Sequence, residues 1–352
     1  MPTHPPKILH VANFMTRFKG ASYFANQFKF SNGLVRAGCN VLNFSDRDVA
    51  RASSLFRNRK AGAAGANRKL LDLAATFRPD IILFGHADTI EPATLDRLRE
   101  ACPGVKLVQW NVDPLFEPDN VARLNAKIAH VDLTFVTTSG VELESLGQQG
   151  RYRVAFVPNP VDPGIERSRA FEHPREALAH DLFYAVGRAS LRRFHAGREQ
   201  EAGEIVKNVI AACPDVRGLF PGYLGEPLVA GYDYERVLAQ SAMGLNISRR
   251  NDSRLYSSDR IAHLAGSGIL VFLDRATGYA DLFAEDEIAF YSSGDEMHEK
   301  IRRFAREDGA RRAAAQRGFN AYSRFFDATK VARYMLGVIE GSIDAGLHDW
   351  TR

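Results

Sequence analysis

Two successive doubly wound α/β domains are the fold that this 352-residue sequence predicts. Three observations carry the prediction. Short apolar runs alternate with helical spacings along most of the chain. The alternation starts afresh after a proline-rich stretch near residue 158. A composition of 45% hydrophobic and 25% charged residues, over this length, supplies two cores in an ordinary globular chain.

In the first half the strand candidates are Lys7 to Asn13, Asn40 to Phe44, Asp80 to Phe84, Lys106 to Trp110 and Leu133 to Thr137. Helical patterns separate several of them, among them Ser22 to Arg36 and Pro92 to Ala101. These elements define a first domain over residues 1–157. A short apolar strand then runs into three prolines in VAFVPNPVDPG, and proline continues neither a helix nor a central strand. Residues 158–165 therefore read as an interdomain linker.

The second domain, residues 166–328, repeats the pattern. A strand from Leu182 to Val186 precedes a helix through Ile205 to Ala212, a strand near Gly218, a helix around Tyr234 to Gln240 and a strand from Gly244 to Ile247. Next, Ser257 and Ser258 stand as N-cap candidates ahead of Asp259, with Ile261, Leu264 and Ala265 at the spacing of one buried helix face. Gly266 and Gly268 stop that helix, and Ile269 to Leu273 is apolar at every position, as in a strand covered on both sides. Ile288 to Tyr291 is a further strand. Residues 329–352 hold a last helix, with Val331, Tyr334, Met335, Val338 and Ile339 spaced to pack back on the first domain.

Several classes drop out. No apolar run is long enough to span a membrane, and the start MPTHPPKILH lacks the layout of a secretory signal, so a cytoplasmic protein is expected. Cys39, Cys102 and Cys213 form no metal or disulfide pattern and read as packing residues. The turns FMTRFKGASYF and FYAVGRASLRRF each hold one glycine where a dinucleotide fingerprint needs three, and no P-loop, H-E-x-x-H or G-x-S-x-G is present. Both turns instead place glycine beside cations: Arg17, Lys19 and Gly20 in one, Gly187, Arg188, Arg192 and Arg193 in the other. Basic strand-end loops on two α/β domains point to a cleft for an anionic ligand. Net charge is only +4, but basic residues crowd residues 47–69, where Leu55 and Phe56 lie among Arg51, Arg57, Arg59 and Lys60. A solvated face is the plain reading of such a run; a peripheral contact with an anionic membrane surface is the sharper one. Nucleic acid is disfavoured, since no recognised module or spaced aromatics accompany the charge.

The run LNISRRNDSRLYSSDRIAHLAGSGILVFLDRATGYADLF resembles the donor-site segment of group 1 glycosyltransferases, closest to the spore-maturation CgeB-type branch. Arg260 falls on that family's arginine, Gly268 on its glycine and Leu282–Phe283 on its closing pair. VPNPVD is similar to the interdomain V-P-N-x-V-D of the superfamily, and WNVDP to the tryptophan-and-aspartate strand end of the branch. The resemblance implies the GT-B fold, two Rossmann-like domains facing across a cleft. It also implies a nucleotide-sugar donor held mainly by the second domain. No further cofactor and no metal are expected. His263 stands where the family has glutamate.

The expected activity is transfer of a sugar from a nucleotide-sugar donor to a glycan, glycolipid or other acceptor. Donor-binding candidates are Arg260 with Ser257 and Ser258, then Arg188, Arg193, Arg249 and His263, because guanidinium groups and a helix N-terminus neutralise a diphosphate leaving group. At the first domain's strand ends His86, Asp88 and Asp113 are the acid–base candidates. In an inverting enzyme one of them takes the acceptor proton; in a retaining one they position the substrates. His10, inside the first strand, reads as a buried structural group. Two rivals stay open, a non-catalytic sugar-binding or regulatory protein and a nucleotide-sugar epimerase of the same fold.

Overall fold

The computed structural model describes residues 5–223, 225–348 and 350. The chain divides into two compact units, Met1–Pro160 with Ala328–Arg352, and Val161–Asp327. The first contains β1 (Lys7–Ala12), α1 (Asn26–Arg36), β2 (Asn40–Ser45), α2 (Asp46–Ala52), α3 (Ala63–Phe77), β3 (Ile81–Phe84), α4 (Pro92–Ala101), β4 (Lys106–Asn111), α5 (Pro118–Ile128), β5 (Leu133–Val136), α6 (Val141–Leu146) and β6 (Val154–Phe156). The second contains β7 (His180–Phe183), β8 (Arg192–His195), β9 (Arg198–Glu201), α7 (Ala202–Ala212), β10 (Gly218–Leu219), α8 (Gly231–Ala239), β11 (Ser241–Leu245), α9 (Arg260–Gly266), β12 (Leu270–Asp274), β13 (Ala289–Tyr291), α10 (Gly294–Arg306) and α11 (Asp308–Phe326). Helix α12 (Ala328–Glu340) returns to the first unit.

The first unit is built on a six-stranded sheet in the order β2-β1-β3-β4-β5-β6, parallel throughout. Its central strands are covered on both sides, so IILF of β3 is buried at every position and the strands read as continuous apolar runs. Leu9, Val11, Ile82, Phe84 and Leu107 pack with Leu70, Leu95 and Leu98 from the covering helices. His10 lies within this core. Its Nδ1 bonds Ser31 Oγ at 2.8 Å and its Nε2 accepts from Trp110 Nε1 at 3.0 Å, which requires the neutral Nδ1–H tautomer. Helix α1 starts at Asn26, later than the spacing from Ser22 implied, because residues 20–25 are spent in turns closed by Tyr23 N to Gly20 O and Ala25 N to Ser22 O. Gly33 lets α1 press against α12, since a Cβ there would lie 2.2 Å from Ala328 O. Tyr334 on α12 donates to Phe156 O at 3.0 Å, and Arg153 donates to Val338 O at 2.8 Å.

The second unit has a five-stranded parallel sheet in the order β10-β7-β11-β12-β13. Leu182, Met243, Leu245, Leu270 and Phe272 face Ile205, Val206, Val209 and Ile301 of the helices. The stop after α9 is made by Gly268 at φ +73°, where a Cβ would also meet Phe171 at 2.7 Å. One element departs from simple alternation. Between β7 and α7 the chain inserts a β8–β9 hairpin, turned through Ala196 and Gly197, both at positive φ. The three cysteines are free and buried. No described helix is long and apolar enough to cross a membrane.

Candidate functional site

Doubly wound sheets bind ligands outside the carboxyl ends of their strands, where the strand order reverses. In the second unit that point lies between β7 and β11, because the chain passes from β7 outward to β10 and then returns to the opposite side. Arg260 sits there. Its Nη2 donates to Ala185 O just past β7 at 3.3 Å, and its Nη1 donates to Ile247 O just past β11 at 3.2 Å. The guanidinium also lies 5.4 Å from the Tyr184 ring centre. A guanidinium has five N–H donors, so this anchorage leaves three for a ligand.

The loop after β11 is ordered around Asn246, which is fully buried. Asn246 Nδ2 donates to Ser257 Oγ at 2.8 Å, and Ser248 Oγ accepts from Ser258 N at 3.0 Å. Ser257 and Ser258 thus lie beside Arg260, but they do not cap α9. The N-cap residue is Asp259, in helical backbone conformation and without a side-chain cap bond. The serines are committed to the β11 loop instead, and α9 spans only seven residues. Arg260 itself, rather than a helix N-terminus, is therefore the source of positive charge here.

His263 also departs from expectation. The spacing from Arg260 places it on a ligand-facing helix side, yet it is 2% exposed. Its Nδ1 lies 2.7 Å from Glu166 Oε1, and its ring packs edge-on against Tyr234 of α8. Glu166 in turn accepts from Asp162 N at 2.8 Å, so His263 fastens α9 to the segment by which the chain enters this unit. Residues 261–266 are all buried, which leaves α9 without the solvated face that an amphipathic spacing implies.

The remaining second-unit candidates occupy neighbouring loops. Arg188 is exposed just past Gly187 in the β7 loop. Arg193 lies on β8, not on a strand-to-helix turn, and is 8% exposed. Its Nη1 caps Arg192 O at 3.0 Å, while its Nε is buried without a partner. The hairpin joins the β11 loop through Phe194 N to Arg249 O at 2.8 Å and Asn251 N to Phe194 O at 3.0 Å. Arg249 is exposed at that junction. Next to Arg193 on the same inward strand face, His195 is buried against Tyr291, and burial holds its pKa down to about 4.

In the first unit the order reverses between β1 and β3, and His86 and Asp88 follow β3 directly. His86 Nδ1 lies 3.7 Å from Asp113 Oδ2, an ionic approach longer than a hydrogen bond. Burial lowers the His86 pKa, with Arg123 and Arg47 acting in the same direction and Asp113 against them. Asp113 is also paired with Arg123 at 3.0 Å. Asp88 is held by Arg47 at 2.7 Å and Arg59 at 3.1 Å. Burial pushes its carboxyl up, but those two cations outweigh the effect and leave it below the ordinary range.

Two supporting groups have no clear sequence signal. Lys127 of α5 is buried, and its Nζ donates to the carbonyls of Ala87 and, at 3.3 Å, His86. Burial lowers its pKa to about 8, partly offset by Asp46 and Asp88. The bond pins a strained turn, since Ala87 has φ +38°. Glu166 is the second such group, 97 residues from its partner His263. Asn246 also goes unmarked, because the sequence pattern places it inside a strand from Gly244 to Ile247. Among the described residues no group of three His, Cys, Asp or Glu side chains is placed to hold a metal ion.

Two sheets of this order, with their loops gathered at the strand ends, define a protein of the two-Rossmann GT-B glycosyltransferase fold. The structure matches α,α-trehalose 6-phosphate synthase from Burkholderia multivorans with a TM-score of 0.59 at 14% identity, over 97% of this chain and 99% of that one. Sucrose-phosphate synthase from Thermosynechococcus elongatus gives 0.58 at 10% identity, over 96% and 99%. HepE from Anabaena, solved in complex with UDP-glucose, gives 0.57 at 13% identity, over 96% and 100%. More specifically, residues 171–337 match the family model described as glycosyl transferase-like, a segment that contains every second-unit candidate. No curated protein matches the chain in sequence.

Proposed function

We propose that the protein is a glycosyltransferase that moves a sugar from a nucleotide-sugar donor to a glycan, glycolipid or other acceptor hydroxyl, of the CgeB-type branch. The observation that carries this reading is Arg260, anchored across the β7 and β11 ends with three donors to spare. Breaking the bond between the sugar C1 and the diphosphate oxygen leaves negative charge on that oxygen. Arg260 bonds the diphosphate as the charge develops, with Arg188, Arg249 and the unpartnered Nε of Arg193 adding donors, so the reaction runs without a metal. Ser257 and Ser258 line the same loop. A uridine nucleotide is the first donor to try, because HepE was solved with UDP and with UDP-glucose.

His86 is neutral at pH 7 and able to accept a proton, since its pKa is lowered. In an inverting reaction it takes the acceptor hydroxyl's proton while Asp113 stabilises the imidazolium that forms; in a retaining one the pair positions the hydroxyl. Asp88, held by two arginines, orders the loop rather than exchanging protons. His263 acts on the site only through α9. The enzyme works in the cytoplasm, with residues 47–69 meeting the inner face of an anionic membrane. A melting-temperature screen against nucleoside diphosphates and nucleotide sugars tests the reading, because a ligand of the native state raises apparent stability. Stabilisation by one nucleoside diphosphate and its sugar is expected; no response to any of them overturns the proposal.

A further inference from the structure

The first unit holds a second cationic site, separate from the acid–base loop. A cavity of about 620 Å³ opens beside the carboxyl ends of β1 and β2, lined by Thr16, Arg17, Asp48, Arg51, Leu55 and Arg57. Three arginines against one carboxylate give it net positive charge. Asp48 is already engaged: its Oδ2 accepts from Thr16 N at 2.9 Å, Thr16 Oγ1 at 2.8 Å and Ser45 Oγ at 2.6 Å, which ties the β1 loop to α2. Arg51 is half-buried; after burial the charge of Arg17 is the largest influence lowering its pKa, Asp48, 3.8 Å away, opposes it, and Arg59 and Arg47 add to the lowering. Cations crowded in this way repel one another, and an anion between them relieves the repulsion. Arg57 makes no ion pair among the described residues and points from a left-handed turn at φ +50°. Leu55, which lines the cavity, is 99% exposed, and Phe56 beside it in the chain is 90% exposed.

We infer that this pocket binds a phosphate group carried by the acceptor. Guanidinium forks match the paired oxygens of a phosphate, and the cavity has the size of a small-ligand site. The assignment of this phosphate to the acceptor rests on the transferase reading. The phosphate belongs either to a soluble sugar phosphate or to a lipid headgroup, and the exposed apolar pair Leu55 and Phe56 distinguishes the two.

The test uses the full chain with saturating UDP, so that phosphate does not report on the donor site. In one arm, glucose 6-phosphate is titrated calorimetrically against wild type, Arg57→Asn and Arg51→Gln, with glucose as control. Asparagine tolerates the left-handed turn, so Arg57→Asn removes charge without refolding the loop. In the other arm, co-sedimentation with phosphatidylcholine vesicles is measured with and without phosphatidic acid. Binding of a phosphate ligand in either arm should fall about tenfold or more in each arginine variant, while glucose does not bind. A Leu55→Ser/Phe56→Ser variant that loses vesicle binding but keeps the arginines identifies a lipid phosphate. Binding of glucose 6-phosphate without vesicle binding identifies a sugar phosphate. Phosphate binding in neither arm, or binding indifferent to both arginines, overturns the inference. A separate UDP titration keeps the two readings apart: failure there sinks the donor site and leaves an arginine-dependent phosphate site standing.

Discussion

Replacing Arg260 by alanine tests the donor site with a magnitude that the structure sets. The side chain is half-buried and bonds two backbone carbonyls at 3.2 and 3.3 Å, long for charge-assisted contacts. Each is therefore worth no more than the low end of the ~1.5–3 kcal/mol range, and water can reach the freed carbonyls. A stability loss of about 1–2 kcal/mol follows, visible as a fall of a few degrees in the melting temperature. Nucleotide binding loses a direct guanidinium–phosphate contact worth about 1.5–3 kcal/mol, or roughly 10- to 150-fold in Kd. Arg260→Lys should fall between, because an ammonium keeps the charge but cannot span two carbonyls and still present a fork to phosphate. Calorimetric titration of UDP into wild type and both variants measures the effect, with melting curves to confirm that each is folded. Equal affinity in all three would refute the placement of the diphosphate at the β7–β11 ends.

Other perturbations separate chemical from structural roles. His86→Ala should cut kcat about 10²–10⁴-fold if His86 is the base, with UDP affinity unchanged, as measured by steady-state transfer and titration. Lys127→Met leaves the carbonyls of His86 and Ala87 without their buried donor; kcat and a stability of about 1–3 kcal/mol should both fall, read by assay and urea unfolding. His263→Glu sets a second carboxylate against buried Glu166, so it should destabilise the fold by about 3–5 kcal/mol and bring no gain in nucleotide affinity. The neutral His10 gives an acid signature: its folded pKa is lowered from 6.5 to about 3. The unfolded chain takes up the proton first, so stability is complete above pH 6.5 and is lost as pH falls towards 3, by several kcal/mol. His10→Gln should flatten that slope in chemical unfolding measured across the window, while costing stability at neutral pH.

Wherever a segment's hydrophobic period is dictated by its own burial, the structure was legible in the sequence. IILF and ILVFL read as central parallel strands because both faces are covered, and Pro92 to Ala101 is a helix with the same bounds. The β8–β9 hairpin escaped because its pattern is inverted: Arg193 and His195 point inward, so the alternation resembles a charged turn. The serines before α9 mislead for a related reason. Local rules favour them as caps, but Asn246 and Ser248, at the other end of the same loop, claim them. His263 carries no local sign that Glu166 will meet it from 97 residues away, nor does Lys127 that it will sit beneath His86. Arg260 was legible because a cation opening a short helix ahead of a buried strand has few places to go other than the strand ends.

Hydrogen exchange of the full chain, followed by mass spectrometry with and without saturating UDP, tests the central claim most directly. The β7–β11 site predicts slower exchange in residues 184–191 and 246–260, and loss of that protection in Arg260→Ala at the same nucleotide concentration. Protection that leaves these two loops untouched while slowing the segments around His86 and Asp113 would contradict the account.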